Sequence, residues 1–145
     1  MTKPPIESVA TLSGRELDAA VHHFVAGKPI HQIGSKEWND LEWVESSPRG
    51  YSIIPAYSTS EGESFFALIA AVRAKGWTFI DMQVGFYDTE TVWTVCITCG
   101  RGPCELHGNP HDDAHSVEAR ADTLPLAFAR ASLLTTYLKE STHAR

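Results

Sequence analysis

Residues 77–98 read Trp77-Thr-Phe-Ile-Asp-Met-Gln-Val-Gly-Phe-Tyr-Asp-Thr-Glu-Thr-Val-Trp-Thr-Val-Cys-Ile-Thr98. Trp77 to Val84 alternates, with Trp77, Phe79, Asp81 and Gln83 on one face and Thr78, Ile80, Met82 and Val84 on the other. That period of two predicts a strand. Val92 to Thr98 is rich in Val, Thr, Trp and Ile and predicts a second, with a turn over Gly85–Thr91. Ala114 to Ala121 predicts a third.

Helical patterns flank the strands. Upstream, Phe65, Leu68, Ile69 and Val72 make one apolar face, which Phe66 widens. Ser58, Thr59 and Ser60 are N-cap candidates, and Gly76 suits a left-handed C-cap. Downstream, Thr123 precedes a helix with Pro125 in its first turn and Leu126, Phe128, Ala129, Leu133, Leu134, Tyr137 and Leu138 along it. Near the N-terminus, Ser13-Gly14-Arg15-Glu16 has capping-box spacing ahead of Leu17, Ala20, Val21, Phe24 and Val25; Gly27 and Pro29 end that helix.

The order is helix, loop, helix, three strands, helix. The fold class is α+β: a three- or four-stranded, mainly antiparallel sheet sandwiched by helices. The 145 residues make a single domain, with an extended arm over 1–12, a Cys/His loop over 100–115 and a fraying tail over 141–145. Phe65, Leu68, Ile69, Val72, Phe79, Val95, Ile97, Phe128 and Leu134 are the expected core.

Charge narrows the partners. Twelve Lys and Arg against eighteen Asp and Glu give a net charge of -6. Nucleic-acid modules and anionic membranes call for the opposite sign. Helix–strand–strand–strand–helix is also the order of the double-stranded RNA-binding domain, but no Lys or Arg occurs between Lys75 and Arg101. The expectation is no direct nucleic acid, no membrane and a cytoplasmic location, since 1–9 has no apolar signal core. A homo-oligomer stays open.

Ile30 to Tyr57 is the least legible stretch, a long connection with a short strand or extended run at Ser52–Ala56. It carries Trp38 and Trp43 among Glu37, Asp40, Glu42 and Glu45. The tryptophans either cover the core as a lid or form a binding surface, where Trp anchors are favoured. The partner-binding candidates are those six residues, with Asp112 and Asp113 second. Trp38, Trp43, Arg49 and Tyr51 could instead line a nucleotide pocket.

Cys96-x-x-Cys99-x4-Cys104-x-x-His107, with His111 and His115 beyond, supplies two close pairs of zinc-ligand type. The four-residue gap is short for a zinc ribbon, and Cys96 lies in an apolar strand where free cysteines are common. No cofactor is expected apart from this one candidate, a structural zinc on Cys96, Cys99, Cys104 and His107. A Cys–His dyad from Cys104 with His107 or His111 is a weak alternative, and no Gly-x-Ser-x-Gly or phosphate loop is present. The chain is read as no enzyme.

Three runs carry a resemblance. They are Leu12-Ser-Gly-Arg-Glu-Leu-Asp-Ala-Ala-Val21, Pro55-Ala-Tyr-Ser-Thr-Ser60 and Glu118-Ala-Arg-Ala-Asp-Thr-Leu-Pro-Leu-Ala127. With Gly76-Trp77 as a strand entry, they resemble the phage ABA sandwich family of small phage and prophage proteins, over about Leu12 to Leu138. Val25-Ala26-Gly27-Lys28 stands where members often have Met-Gly-Trp, and the Cys96–His115 loop looks like an insertion. The resemblance implies a three-layer α/β/α arrangement and a phage or mobile-element origin, and carries over no catalytic residue. With the small size and acidity it leads to an expected function: inhibition of a host defence machine, in the manner of an anti-CRISPR protein, through a host complex with a basic surface. A sponge for a nucleotide immune signal and a structural or regulatory phage protein with a zinc-stabilised loop are the alternatives.

Overall fold

The structure is a computed structural model that describes residues 1–99 and 116–143, with side chains through 138. A 3-10 turn, Ile6–Thr11, leads into helix α1, Gly14–Ala20, which continues as a π-helical turn over Val21–Val25. Strands β1 (Ile30–Ile33), β2 (Glu42–Ser47) and β3 (Gly50–Ile53) follow, then helix α2 (Glu63–Ala74). Strands β4 (Phe79–Tyr87), β5 (Glu90–Thr98) and β6 (Ser116–Ala121) precede helix α3 (Leu124–His143).

The class is α+β, with two antiparallel three-stranded sheets, β1-β2-β3 and β4-β5-β6. β4 and β5 pair from Phe79↔Thr98 to Tyr87↔Glu90 around an Asp88–Thr89 turn, and β6 pairs with β5 from Trp93↔Ala121 to Thr98↔Ser116. The alternation in residues 77–98 therefore holds, with the first strand starting two residues later and running three further. Its inner face presents Ile80, Met82, Trp93, Val95, Ile97, Val117 and Ala119 to the core. Leu68, Val72, Phe65, Phe128 and Leu133 complete that core.

α3 is buried on several sides at once: Ala127, Phe128, Ala129, Ala131, Ser132, Leu133, Thr135 and Thr136 are all covered. A helix with so little exposed circumference needs neighbours on opposite sides. β5 and β6 lie on one, and α1, its π turn, α2 and the N-terminal 3-10 turn supply the rest. α1 in turn contacts β2. Among the described residues α3 thus lies against β5 and β6, and α1 contacts both α3 and β2.

Several local expectations change. The stretch 30–57 is a sheet rather than a long loop. The arm over 1–12 is not extended throughout: Ile6–Thr11 form a 3-10 turn after Pro5, and Val9 is wholly buried. Lys3 holds the arm down, its ammonium 5.4 Å from the Phe24 ring centroid and 4.8 Å from that of Tyr137, while the Tyr137 hydroxyl donates to the Pro4 carbonyl. Ser13 is the N-cap of α1 but makes no side-chain capping bond, so the capping box is not formed. The N-cap of α2 is Gly62 rather than Ser58, Thr59 or Ser60, and Ser60 Oγ accepts from the Gly62 N–H at 3.2 Å. Gly76, at φ 92, closes α2 as expected. In the expected core, Phe79 is 40% exposed, Ile69 and Leu134 are half-buried, and Trp77 and Leu133 take the buried places. Phe66 points outward. α3 continues through His143, past the expected start of fraying. The Cys/His loop over 100–115 lies outside the described residues.

Candidate functional site: the Trp38 turn and its clamp

β1 and β2 pair antiparallel from Ile30↔Glu45 to Ile33↔Glu42, and the connection between them carries Trp38. The connection is tied to itself. The Ser35 N–H donates to Asp40 Oδ1 at 2.7 Å, and the Asp40 N–H donates to the Ser35 carbonyl at 3.3 Å. The Glu37 N–H donates to Ser35 Oγ at 3.1 Å, and the Asn39 N–H to the Lys36 carbonyl at 3.2 Å. Gly34 is required at the base: its φ is +95, and a Cβ there would stand 2.4 Å from the Asp40 carbonyl oxygen. Trp38 projects from this tied turn 80% exposed, with Leu41 beside it 42% exposed.

The six expected partner-binding residues divide. Glu37, Trp38 and Glu42 are exposed around the turn. Asp40 is also exposed, but one carboxylate oxygen staples the turn. Trp43 and Glu45 lie on the opposite face of β2 from Glu42 and point inward, by the alternation of the strand. Trp43 packs against the core with its indole N–H buried. Glu45 meets α1. The two tryptophans thus part company: Trp43 covers the core and Trp38 stands in solvent. Asp112 and Asp113 lie outside the described residues.

Glu45 closes a buried polar chain. Its Oε2 lies 2.9 Å from His22 Nε2, and His22 Nδ1 lies 2.8 Å from the Tyr57 hydroxyl. His22 sits in the π turn after α1, a wider turn that often marks functional or strained positions. Both ring nitrogens are engaged at 4% exposure. Burial pushes the Tyr57 hydroxyl above its ordinary range, and the Glu45 and Asp18 carboxylates push the same way. One turn earlier, buried Asp18 accepts from the Ser58 N–H at 2.8 Å and pairs with Arg15 at 3.1 Å; Arg15 also donates to the Ile54 carbonyl at 2.9 Å. The strand pair carrying Trp38 is thereby fastened to α1 at Glu45, and the segment leaving β3 at Ile54, Tyr57 and Ser58. The sequence signal is slight: Asp18 and His22 are four apart on one helix face.

The four residues of the alternative nucleotide pocket do not converge. Trp38 and Arg49 sit in turns at opposite ends of β2, about 20 Å apart at 3.3 Å per residue. Tyr51, paired with Ser46, lies on the face of the sheet opposite Trp43.

The metal candidates are only partly described. Cys96 lies on the outer face of central strand β5, its thiol 3.8 Å from Glu118 Oε2 and its register partner Asp81 on the other side. Burial, Glu118 and Asp81 all push that thiol up, which disfavours a thiolate ligand. Cys99 follows the end of β5; Cys104 and His107 lie outside the described residues. Among the described residues no three His, Cys, Asp or Glu side chains are grouped to hold a metal. The outer face also holds a shallow groove of about 460 Å³. Its charged groups are already paired, Glu118 with Arg120 at 3.1 Å, and nearby Asp81 accepts from Gln83 at 2.9 Å.

Among the described residues no helix is long and apolar enough to cross a membrane. No family model, curated protein or solved structure matches the chain.

Proposed function

We propose that the protein is a non-enzymatic inhibitor of a host defence machine, which it engages by seating the Trp38 turn on a basic, nucleic-acid-handling protein surface. The observation that carries the binding role is Trp38 itself. An indole 80% exposed on a turn tied by four hydrogen bonds is an anchor held in its bound shape before the partner arrives. Glu37, Asp40 and Glu42 surround it, against one cation, Lys36, which favours a basic partner. The defence role rests on the three phage-like runs, and two of them meet in the clamp, through Arg15 and Asp18 of the first and Tyr57 and Ser58 of the second. The non-enzymatic reading rests on the sequence, which has no Gly-x-Ser-x-Gly and no phosphate loop.

The test is phage plating on cells carrying a nuclease-based defence. The wild-type protein should restore plaques, and Trp38→Ala should not, while its melting temperature stays unchanged. Loss of the anchor should weaken binding to the defence complex by about 2 kcal/mol or more, roughly thirtyfold in Kd. Restoration by neither protein, or equally by both, contradicts the proposal.

A further inference from the structure

We infer that the partner group seated on Trp38 is an arginine side chain, rather than a lysine or a nucleobase. This rests on the proposed basic partner and goes on to name the chemistry at its centre. Within six consecutive residues the turn exposes the indole of Trp38, the aliphatic side chain of Leu41 and the carboxylates of Glu37 and Glu42. A guanidinium is planar, weakly hydrated and always charged. It stacks on an indole and still presents edge N–H groups to carboxylates. Its three-carbon stem has Leu41 to lie against. An ammonium is a compact, strongly hydrated point charge and gains less from stacking. A nucleobase would stack equally well, but its phosphates would meet Glu37, Asp40 and Glu42. Asp40 is half spent, since Oδ1 holds the Ser35 N–H, so the pairing falls to Glu37 and Glu42.

The full chain, labelled at its tryptophan indoles, is titrated with an arginine homopeptide, a lysine homopeptide of equal length, and a nucleoside triphosphate. The arginine peptide should bind roughly two- to fivefold more tightly than the lysine peptide and should move the Trp38 indole signal. Trp38→Ala should keep its melting temperature and lose that preference. Glu37→Gln with Glu42→Gln should weaken both peptides while Trp38 still distinguishes them. Equal binding of the two peptides overturns the arginine assignment and leaves the basic-partner reading standing. Binding of neither peptide, or movement of Trp38 by the nucleotide alone, overturns both.

Discussion

Single residues in the clamp separate fold from recognition. His22 is buried between a carboxylate and a phenol, donating to Glu45 from Nε2 and meeting the Tyr57 hydroxyl at Nδ1. His22→Ala should lower stability by about 2–3 kcal/mol, read from a denaturant melt, since it leaves Glu45 and Tyr57 facing a void. Tyr57 adds a pH dependence. Its hydroxyl ionises near the ordinary 10.0 in the unfolded chain and above it in the folded protein. Below about pH 10 its contribution to stability is complete; as pH rises through the folded value it is lost, because only the unfolded chain gains by ionising first. Cys96, also raised, acts with the same sign from about pH 9. Tyr57→Phe should therefore flatten the alkaline fall in melting temperature, leaving the Cys96 part; an unaltered fall would contradict the burial of that hydroxyl. The partners of His22 are not legible in the sequence. Glu45 and Tyr57 are 23 and 35 residues away, a closeness that only folding creates.

Elements differ in how much of themselves the sequence displays. β4 and β5 are nine residues each, β4 with Ile80, Met82 and Val84 at every second place and β5 rich in Val, Thr, Trp and Ile, and α2 carries Phe65, Leu68 and Val72 at helical spacing. Long runs of one period leave little room for a second reading. Adjacent Phe65 and Phe66 test the helix face directly. Phe65 packs 5.2 Å from the Phe128 ring, whereas Phe66 is 67% exposed. Phe65→Ala should cost about 3–5 kcal/mol and Phe66→Ala within about 0.5 kcal/mol, compared by chemical denaturation. Similar costs for both would mean that the helix is turned on its axis. β1, β2 and β3 escaped notice for a physical reason. They are four to six residues long, and Glu42, Glu45, Ser46, Ser47 and Ser52 are poor strand formers by composition. Glu45 faces inward, where an apolar residue would have revealed the alternation, because His22 waits there to receive it. The capping box misled in the opposite way: Ser13 holds its position without making the bond its spacing suggests.

At the scale of the molecule, the net charge of -6 was legible and so were the α+β class and the antiparallel sheet. The layering was not. Nothing in a helix's own residues says what lies on each of its covered sides. The breadth of burial on α3 shows itself only as small residues, Ala127, Ala129, Ala131 and Ser132, which let neighbours approach from both directions. The candidate surface was half legible: acids and tryptophans between 37 and 45 were visible as a group, but which of them reach solvent depends on strand register. That register turns Trp43 and Glu45 in and leaves Trp38, Glu37 and Glu42 out. The most direct test of the whole account is hydrogen exchange of the protein alone and bound to the defence complex it is proposed to inhibit. Slowed exchange concentrated in residues 34–42 is the predicted result. Unchanged exchange there, with protection on the outer face of β4-β5-β6 instead, would contradict it.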